Sequence, residues 1–325
     1  MINGKDQPDL GPEPLHLRDE VKNQPFSESR PTLGSPDKIL RNGLLNLFGQ
    51  GSLAVFHLVV VFVLARTLGK EGLGEFYTIF ALIQVIQLVM EGSISTVLTC
   101  RLTQDLSNWK KIVAEGAGLF TLVVILSVGV MLGLGVLWSW WIDNPARLTV
   151  FAIGAVACGA IQVNRFCTGV FRAFENVTIE NYARIVHGAA FAAFVCLFAL
   201  QGFRATRMFL AAFALSHVLG SSYLLWALFR RLGWFGWRLN GAVLKDWLAV
   251  TIPLGLGDIV RKWTWQLDTI LLSLLQPAAV VGIYSIAYRP LGPLNWLPSA
   301  ILAAVFPSLA RMATVANSSS LERAF

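Results

Sequence analysis

The chain has 325 residues, of which 55% are hydrophobic and only 14% charged, and its mean hydropathy is +0.61. Because a soluble globular domain carries about 25% charged residues, this composition excludes such a domain and predicts a polytopic membrane protein. The formal net charge of +7 does not indicate nucleic-acid binding, since the basic residues sit in short loops between apolar segments.

Residues 1–37 differ from the rest of the chain. They contain six prolines and many charged residues without a periodic apolar pattern, which predicts a disordered cytoplasmic tail. We expect no cleavable signal peptide, because the first apolar run starts only near Leu44 and is too long for the apolar core of such a peptide.

From residue 38 onwards, long apolar segments alternate with short loops. A transmembrane helix needs about 20 mostly apolar residues. This criterion predicts eight spans: residues 42–65, 76–100, 112–138, 148–171, 183–201, 207–229, 249–275 and 279–307. The predicted fold is therefore an all-α polytopic membrane protein with about eight transmembrane helices.

The spans divide into parts that we treat as domains. Residues 38–229 are predicted to form a first six-helix lobe, residues 248–310 to start a second lobe, and residues 311–325 to be a cytoplasmic C-terminal segment. Between the lobes, residues 230–247 mix arginines with tryptophans, which predicts an amphipathic linker along the membrane interface. No long loop is left that could house a soluble enzyme domain.

Lysines and arginines indicate the orientation. They concentrate in the N-terminal tail and in the loops that share its side, whereas the opposite side carries Arg66, Lys70, Arg147, Arg204 and Arg207. The positive-inside rule then places both termini in the cytoplasm. The predicted location is the cell (inner) membrane, crossed several times.

A weak internal repeat links the second and eighth spans. Gly74 and Phe76 open the second span after a short turn, and Gly282 and Tyr284 open the eighth in the same way, 208 positions later in the chain. The same offset places Gln50 opposite Asp258. Two halves of six spans are a common transporter plan, so we expect one complete half and the first hairpin of another, a chain truncated after the eighth span.

The seventh predicted span carries four ionisable residues: Asp258, Arg261, Lys262 and Asp268. On one continuous helix they fall within an arc of about 120°. Each charge at a helix centre costs about 2.5–3.5 kcal/mol on insertion scales. The stripe must therefore face protein or a water-filled cavity. The four residues either form part of a functional site or form a structural network of ion pairs that holds this helix to its neighbours.

Other predicted spans carry polar residues at helical spacing. The residues that we single out are Asn46 and Gln50 in span one, Gln87 and Glu91 in span two, Arg165 in span four and Arg289 in span eight. Ionisable groups at membrane depth are functional candidates, whereas a lone amide or His57 is better explained by hydrogen bonds between helices. Together these stripes predict a central hydrophilic cavity.

Neither the cysteines nor the histidines form a metal-binding motif. The four cysteines lie in or beside apolar stretches without a CxxC pair, and the four histidines lack metal-ligand spacing. We expect no metal site, no cofactor and no catalytic residue.

Several segments resemble a known family. LARTLGKEGLGEFYTIFALIQVIQLVMEGSISTVLT is similar to the first hairpin of the bacterial polysaccharide-biosynthesis (Wzx-like) flippases, which belong to the multidrug/oligosaccharidyl-lipid/polysaccharide transporter superfamily. FCTGVFRAFENVTIENYARI resembles the segment after their fourth span. IPLGLGDIVRKWTWQLDTILLSLL, VGIYSIAYR and LPSAILAAVFPSLAR resemble the start of their second lobe. The resemblance covers about residues 38–315.

The resemblance implies a flippase that moves a polyprenyl-diphosphate-linked oligosaccharide across the membrane by alternating access. Asp268 matches the acidic position of the family's span-seven pattern. By their chemistry, the substrate-binding candidates are Asn46, Gln50, Gln87, Arg165, Arg261, Lys262 and Arg289, whose arginines suit a diphosphate. The candidates for coupling to protons or sodium ions are Glu91, Asp258 and Asp268. The implied partners are the lipid-linked oligosaccharide, membrane lipids and polysaccharide assembly enzymes, without nucleic acid.

Three alternatives stay open at this point. A multidrug-type exporter of cations would need an acidic cavity, whereas these stripes are mixed to basic. A membrane glycosyltransferase or prenyltransferase would need an acidic cluster near the interface and a large loop, neither of which is present. The third alternative is a truncated remnant or a subunit that does not itself transport.

Overall fold

The structure is a computed structural model that describes residues 36–142, 146–174, 176–263 and 267–289. It describes neither the other residues nor the side chains of residues 36–47, 142, 146–147, 177, 258 and 261–263. The predicted tail 1–37 and the segment 311–325 therefore lie outside the described ranges, apart from the helical backbone of residues 36 and 37. The described residues from Asn42 onwards belong to one compact unit.

Within these ranges the chain forms ten helices and no strand. They are α1 (Pro36–Thr67), α2 (Gly69–Glu91), α3 (Ile94–Gln104), α4 (Trp109–Ile142), α5 (Ala146–Ala173), α6 (Val177–Leu200), α7 (Thr206–Leu232), α8 (Gly241–Trp263), α9 (Leu267–Leu275) and α10 (Ala278–Tyr288). In lipid the backbone must satisfy its own hydrogen bonds, and a helix does so within one segment.

Six helical segments of the described chain are long and apolar enough to cross a membrane. They are Phe48–Thr67, Gly69–Gln104, Trp109–Trp141, Leu148–Ala173, Thr178–Leu200 and Thr206–Leu232. The first six predicted spans are thus confirmed, and with them the fold class, an all-α polytopic membrane protein.

The second span contains a break that the sequence did not predict. We expected a continuous helix over 76–100, but α2 ends at Glu91 and α3 begins at Ile94. Between them Gly92 (φ 45°) and Ser93 (φ 69°) adopt left-handed backbone conformations. Glycine enters this conformation without steric cost, and the apolar run on both sides conceals the break from a hydropathy criterion.

The seventh and eighth predicted spans are described only in part. Residues 249–275 correspond to the end of α8 and to α9, and residues 264–266 between these helices lie outside the described ranges. The continuity of the predicted charged stripe therefore stays a prediction. The eighth span begins with α10, a shorter apolar helix, and its residues from 290 onwards are outside the described ranges.

Helices α2 and α5 organise the packing. Helix α5 contacts α2, α3, α4, α6 and α7, while α2 also contacts α8, α9 and α10. The core between them is apolar and fully buried, with Leu64 of α1, Ile83 of α2, Phe151 of α5, Val195 of α6 and Phe209 of α7 each at most 2% exposed. Van der Waals packing of this kind is what holds helices together when the surrounding lipid is equally apolar.

Glycines allow the closest helix contacts. A Cβ built on Gly74 of α2 would lie 1.7 Å from the carbonyl oxygen of Ala278, and a Cβ on Gly282 of α10 would lie 2.2 Å from the carbonyl oxygen of Lys70. In the same way, a Cβ on Gly255 of α8 would lie 2.6 Å from the carbonyl oxygen of Gly92 at the break. Any larger residue would force these backbones apart, so glycine is required for this packing.

The segment between α7 and α8 runs without regular structure and is attached to α4. The backbone N–H of Arg238 donates to the carbonyl of Ala114 at 3.0 Å, and the indole N–H of Trp237 donates to the hydroxyl of Thr121 at 3.2 Å. Trp234 is 81% exposed, whereas Trp247 is completely buried. The interfacial position of residues 230–247 stays a prediction.

Candidate functional site

An ion pair lies at the break between α2 and α3. Glu91, the last residue of α2, pairs with Arg165 of α5, and the hydroxyl of Ser95 donates a hydrogen bond to the same carboxylate. The Glu91 side chain is 7% exposed and that of Arg165 is 34% exposed. A buried carboxylate needs such partners. The structure thus brings together two of the residues predicted from separate polar stripes.

Arg289 lies at the end of α10 against an aromatic surface of α2. Its guanidinium carbon is 4.7 Å from the ring centre of Tyr77 and 4.4 Å from that of Phe80. Cation–π attraction holds an arginine in this geometry. Within the described ranges no carboxylate is at ion-pair distance from Arg289, so its charge is available to an anion.

Two histidines that the sequence analysis did not single out are in contact. The ring centres of His187 on α6 and His217 on α7 are 3.9 Å apart, with a tilt of 30° between the rings. Phe213 lies against His217 with ring centres 4.6 Å apart. The sequence does contain a signal for this pair. The two residues lie at nearly equal distances from the turn between spans five and six, and an antiparallel hairpin brings such residues to the same depth.

These groups form one electrostatically connected set. His57 of α1 lies within electrostatic range of His187, His217 and Arg289. His217 is also within range of Arg165, which pairs with Glu91. We call His57, Glu91, Arg165, His187, His217 and Arg289 the central polar cluster. Helices α1, α2, α5, α6 and α7 and the end of α10 supply its members.

The other predicted site residues lie in different surroundings. Gln87 is completely buried, and its side-chain amide donates to the carbonyl of Cys158 on α5 at 2.9 Å, so it joins two helices. Gln50 is half-buried on α1. The side chains of four candidates are outside the described part: Asn46, Asp258, Arg261 and Lys262. The binding roles of all these residues stay predictions.

Asp268 stabilises the turn of the last described hairpin. It lies in the first turn of α9, accepts the backbone N–H of Thr269 at 2.6 Å and accepts the hydroxyl proton of Tyr284 from α10. Asp268 also lies within electrostatic range of Arg289. Its coupling role stays a prediction, and its visible contacts are those of a residue that orients α9 against α10.

Two cavities of the described chain lie away from the central polar cluster. One of about 400 Å³ is lined by α2, α4, α5, α9 and α10 and includes Glu71, Glu75 and Ser273. Another of about 590 Å³ is polar and includes Arg101, Lys111 and Asp246. Within the described ranges, no group of three histidine, cysteine or carboxylate side chains could hold a metal ion.

Comparisons with known proteins place this geometry in context. A family model described as "Polysaccharide biosynthesis protein" matches residues 39–313, whereas no curated protein matches the chain. Among solved structures, the chain is similar to the MATE multidrug transporter DinF-BH, solved in complex with a ligand. The two are 16% identical with a TM-score of 0.60, and the match covers 86% of this chain and 66% of that transporter.

A second similar structure is a MOP superfamily transporter from Pyrococcus furiosus, for which a reversed polarity of the binding pocket was described. It is 15% identical to this chain with a TM-score of 0.55, and the match covers 86% of this chain and 70% of that one. At such identities the likeness establishes a shared fold. This chain spans 66% of the length of DinF-BH.

Proposed function

The chain belongs to the polysaccharide biosynthesis protein family, and on that premise we propose that it is a membrane transporter. We propose further that its substrate is an oligosaccharide linked to a polyprenyl diphosphate, and that it flips this substrate across the cytoplasmic membrane by alternating access. The family match and the fold shared with MOP superfamily transporters support the first statement. The charges of the central polar cluster support the second.

The proposed class of substrate, a diphosphate, rests on the position of Arg289. A guanidinium among membrane-embedded helices is costly unless it is paired or functional, and here aromatic rings of α2 hold it. Arginine binds two phosphate oxygens at once in a planar fork, so this group suits the diphosphate. The carboxylate of Glu91 is occupied by Arg165 and Ser95. The cluster therefore favours an anionic substrate over a cationic drug.

Binding and movement follow from this arrangement. The diphosphate binds to Arg289, while the polyprenyl chain stays in lipid. Arg165, Arg261 and Lys262 are proposed as further contacts of the head group along its path. Rocking of the helices that carry these groups then exposes the head group to the other side of the membrane. No catalytic residue and no cofactor are required, because no covalent bond is made or broken.

The test is a flipping assay in proteoliposomes containing the full chain. The probe is a short polyprenyl diphosphate that carries a fluorescent oligosaccharide, and loss of fluorescence to an external quencher reports its location. We expect Arg289→Ala to slow flipping by about 10- to 100-fold, because a hydrogen bond to a charged group contributes about 1.5–3 kcal/mol. Arg66→Ala is the matched control, since Arg66 also lies over an aromatic ring, that of Phe62 at 4.2 Å, but is exposed at the end of α1.

Two results would contradict the proposal. Equal flipping by wild type and Arg289→Ala would remove Arg289 from the substrate site. Transport of a cationic dye, without movement of the diphosphate probe, would favour the multidrug-type exporter instead.

The location and partners belong to the same proposal. Transport of a polyprenyl-linked precursor implies the inner membrane, with both termini in the cytoplasm as the basic residues predict. It also implies contact with the enzymes that assemble the polysaccharide on either side of that membrane.

A further inference from the structure

Three helices each bring one histidine into the central polar cluster. His187 on α6 and His217 on α7 are in ring contact, and His57 on α1 lies within electrostatic range of both. His187 is 9% exposed, His217 is half-buried and His57 is exposed. The set thus extends from an exposed imidazole to a buried one.

The buried member has an unused hydrogen-bonding atom. Nδ1 of His187 is buried and lacks a hydrogen-bond partner among the described residues, while the ring also contacts the backbone of Ser216 on α7. Buried polar atoms are nearly always satisfied, so an exception needs an explanation. A ring nitrogen of a neutral histidine that has no partner is a lone pair on which a proton can bind.

Close packing keeps this atom beside its neighbour. A Cβ built on Gly220 of α7 would lie 3.3 Å from the Cβ of His187, so α7 approaches α6 closely at this level. Phe191 and Phe213 pack around the two rings. Two imidazolium ions at this separation would repel each other strongly, and the pair therefore holds one proton at most.

Charged groups of several helices surround the histidines. Arg165 of α5, which is paired with Glu91 of α2, lies within electrostatic range of His217, and Arg289 lies within electrostatic range of His57. Tyr77 of α2 and Asp268 of α9 are the neighbours of Arg289. Because Glu91 neutralises Arg165, a proton on the histidine pair adds a second net positive charge to that of Arg289, and a bound diphosphate supplies the negative charge that balances both.

We propose that His187 and His217, together with His57, form a proton-binding site that is filled when an anionic head group binds to Arg289. This inference rests on the proposed function, since it takes the diphosphate as the anion. A proton from water binds to an imidazole nitrogen as the head group arrives, and it returns to water when the head group leaves.

Binding linkage makes the proposal measurable. If the anion favours proton binding, the proton favours anion binding by the same factor. Affinity for the head group then rises as the pH falls through the range in which the histidines of the cluster take up a proton. We expect a change of about 10-fold, within the usual range for coupled sites.

The experiment is calorimetric titration of the full chain in detergent with farnesyl diphosphohexose. This probe carries a diphosphate whose two phosphoryl groups are both esterified, so the probe itself does not titrate in this pH range. Titration in two buffers of different ionisation enthalpy counts the protons taken up on binding. We expect uptake of about half a proton per probe molecule in the wild type at the pH of greatest response, the most that a coupling of about 10-fold allows, and uptake near zero in the double variant His187→Gln/His217→Gln while the probe still binds.

Controls separate the two proposals. His16→Gln, in the N-terminal tail, should leave proton uptake unchanged. Probe binding without proton uptake by the wild type, or wild-type uptake in the double variant, would overturn the histidine site and leave the flippase proposal intact. Absence of probe binding by the wild type would overturn both.

If the double variant is not monodisperse, His57→Gln replaces it, because His57 is exposed. Reduced uptake in that variant supports the site and unchanged uptake contradicts it.

Discussion

Gly74 and Gly282 are in contact across the crossing of α2 and α10, where a Cβ built on Gly282 would lie 3.0 Å from the backbone nitrogen of Gly74. They are also the two residues that begin the repeated pattern, 208 positions apart in the chain. Equivalent residues that contact each other are expected where a local two-fold axis relates two repeats, because the same patch then meets itself. The structure therefore supports the repeat through a contact between its equivalent positions.

The first prediction concerns this crossing. Gly74→Ala should destabilise the protein by about 1–3 kcal/mol or more, since the new methyl group meets the backbone of Ala278 and overpacking has this cost. Gly133→Ala on α4 is the matched control, because nothing lies within 4 Å of its Cβ position. It should gain up to about 1 kcal/mol in helix propensity. Thermal unfolding in detergent measures both, and equal melting temperatures would contradict the glycine contact.

The second prediction concerns the Glu91–Arg165 ion pair. Arg165→Ala leaves a buried carboxylate without its partner and should cost about 3–5 kcal/mol. The double variant Glu91→Gln/Arg165→Ala should recover part of this loss, because no uncompensated charge then remains. A double-mutant cycle on the free energy of unfolding gives the coupling between the two residues.

Glu71→Gln is the control for that cycle. Glu71 and Lys70 form an exposed pair at 3.8 Å, with side chains 70% and 62% exposed, and such pairs contribute about 0–1 kcal/mol. A loss in Arg165→Ala no larger than that in Glu71→Gln would show that the pair at the helix break is not buried in the membrane.

The third prediction tests orientation with a native cysteine. Cys100 is exposed, whereas Cys158 and Cys167 are buried. Cys100 precedes Arg101, on the side that the basic residues assign to the cytoplasm. A membrane-impermeant maleimide should therefore label the protein in inverted vesicles and not in intact cells, and Cys100→Ser should abolish the labelling. Labelling from outside intact cells that Cys100→Ser removes would reverse the topology.

The fourth prediction concerns pH and the loop before α4. The Ser107 hydroxyl and the Asn108 amide donate to the Asp105 carboxylate and lower its pKa from the usual value. A lowered pKa means that the contribution to stability is present above the unfolded pKa of about 3.9 and is lost as the pH falls through the folded pKa. Asp105→Asn should remove this acid dependence from the unfolding curve. If Asp105→Asn loses stability at acid pH in the same way as the wild type, Asp105 is not the source of this acid dependence.

The sequence identified those candidate site residues that can be recognised from the segment in which they lie. Glu91 and Arg165 stand out because an ionisable group in an apolar segment is costly wherever it lies. Their pairing could not be predicted, since it depends on how α2 packs against α5. His187 and His217 were missed because a histidine in an apolar helix most often has a structural role, such as a hydrogen bond between helices. Only the alignment of α6 with α7 brings the two rings together.

Hydropathy alone determined the class of this protein and its first six spans, because a bilayer of fixed thickness demands about 20 apolar residues from each helix. The tertiary structure decided where the second span breaks, which charges pair and which glycines meet. At the break, Gly92 lies in close contact with Gly255 of another helix, and the central polar cluster consists of side chains that several helices supply. Such contacts join residues far apart in the chain, and no local pattern of apolarity encodes them.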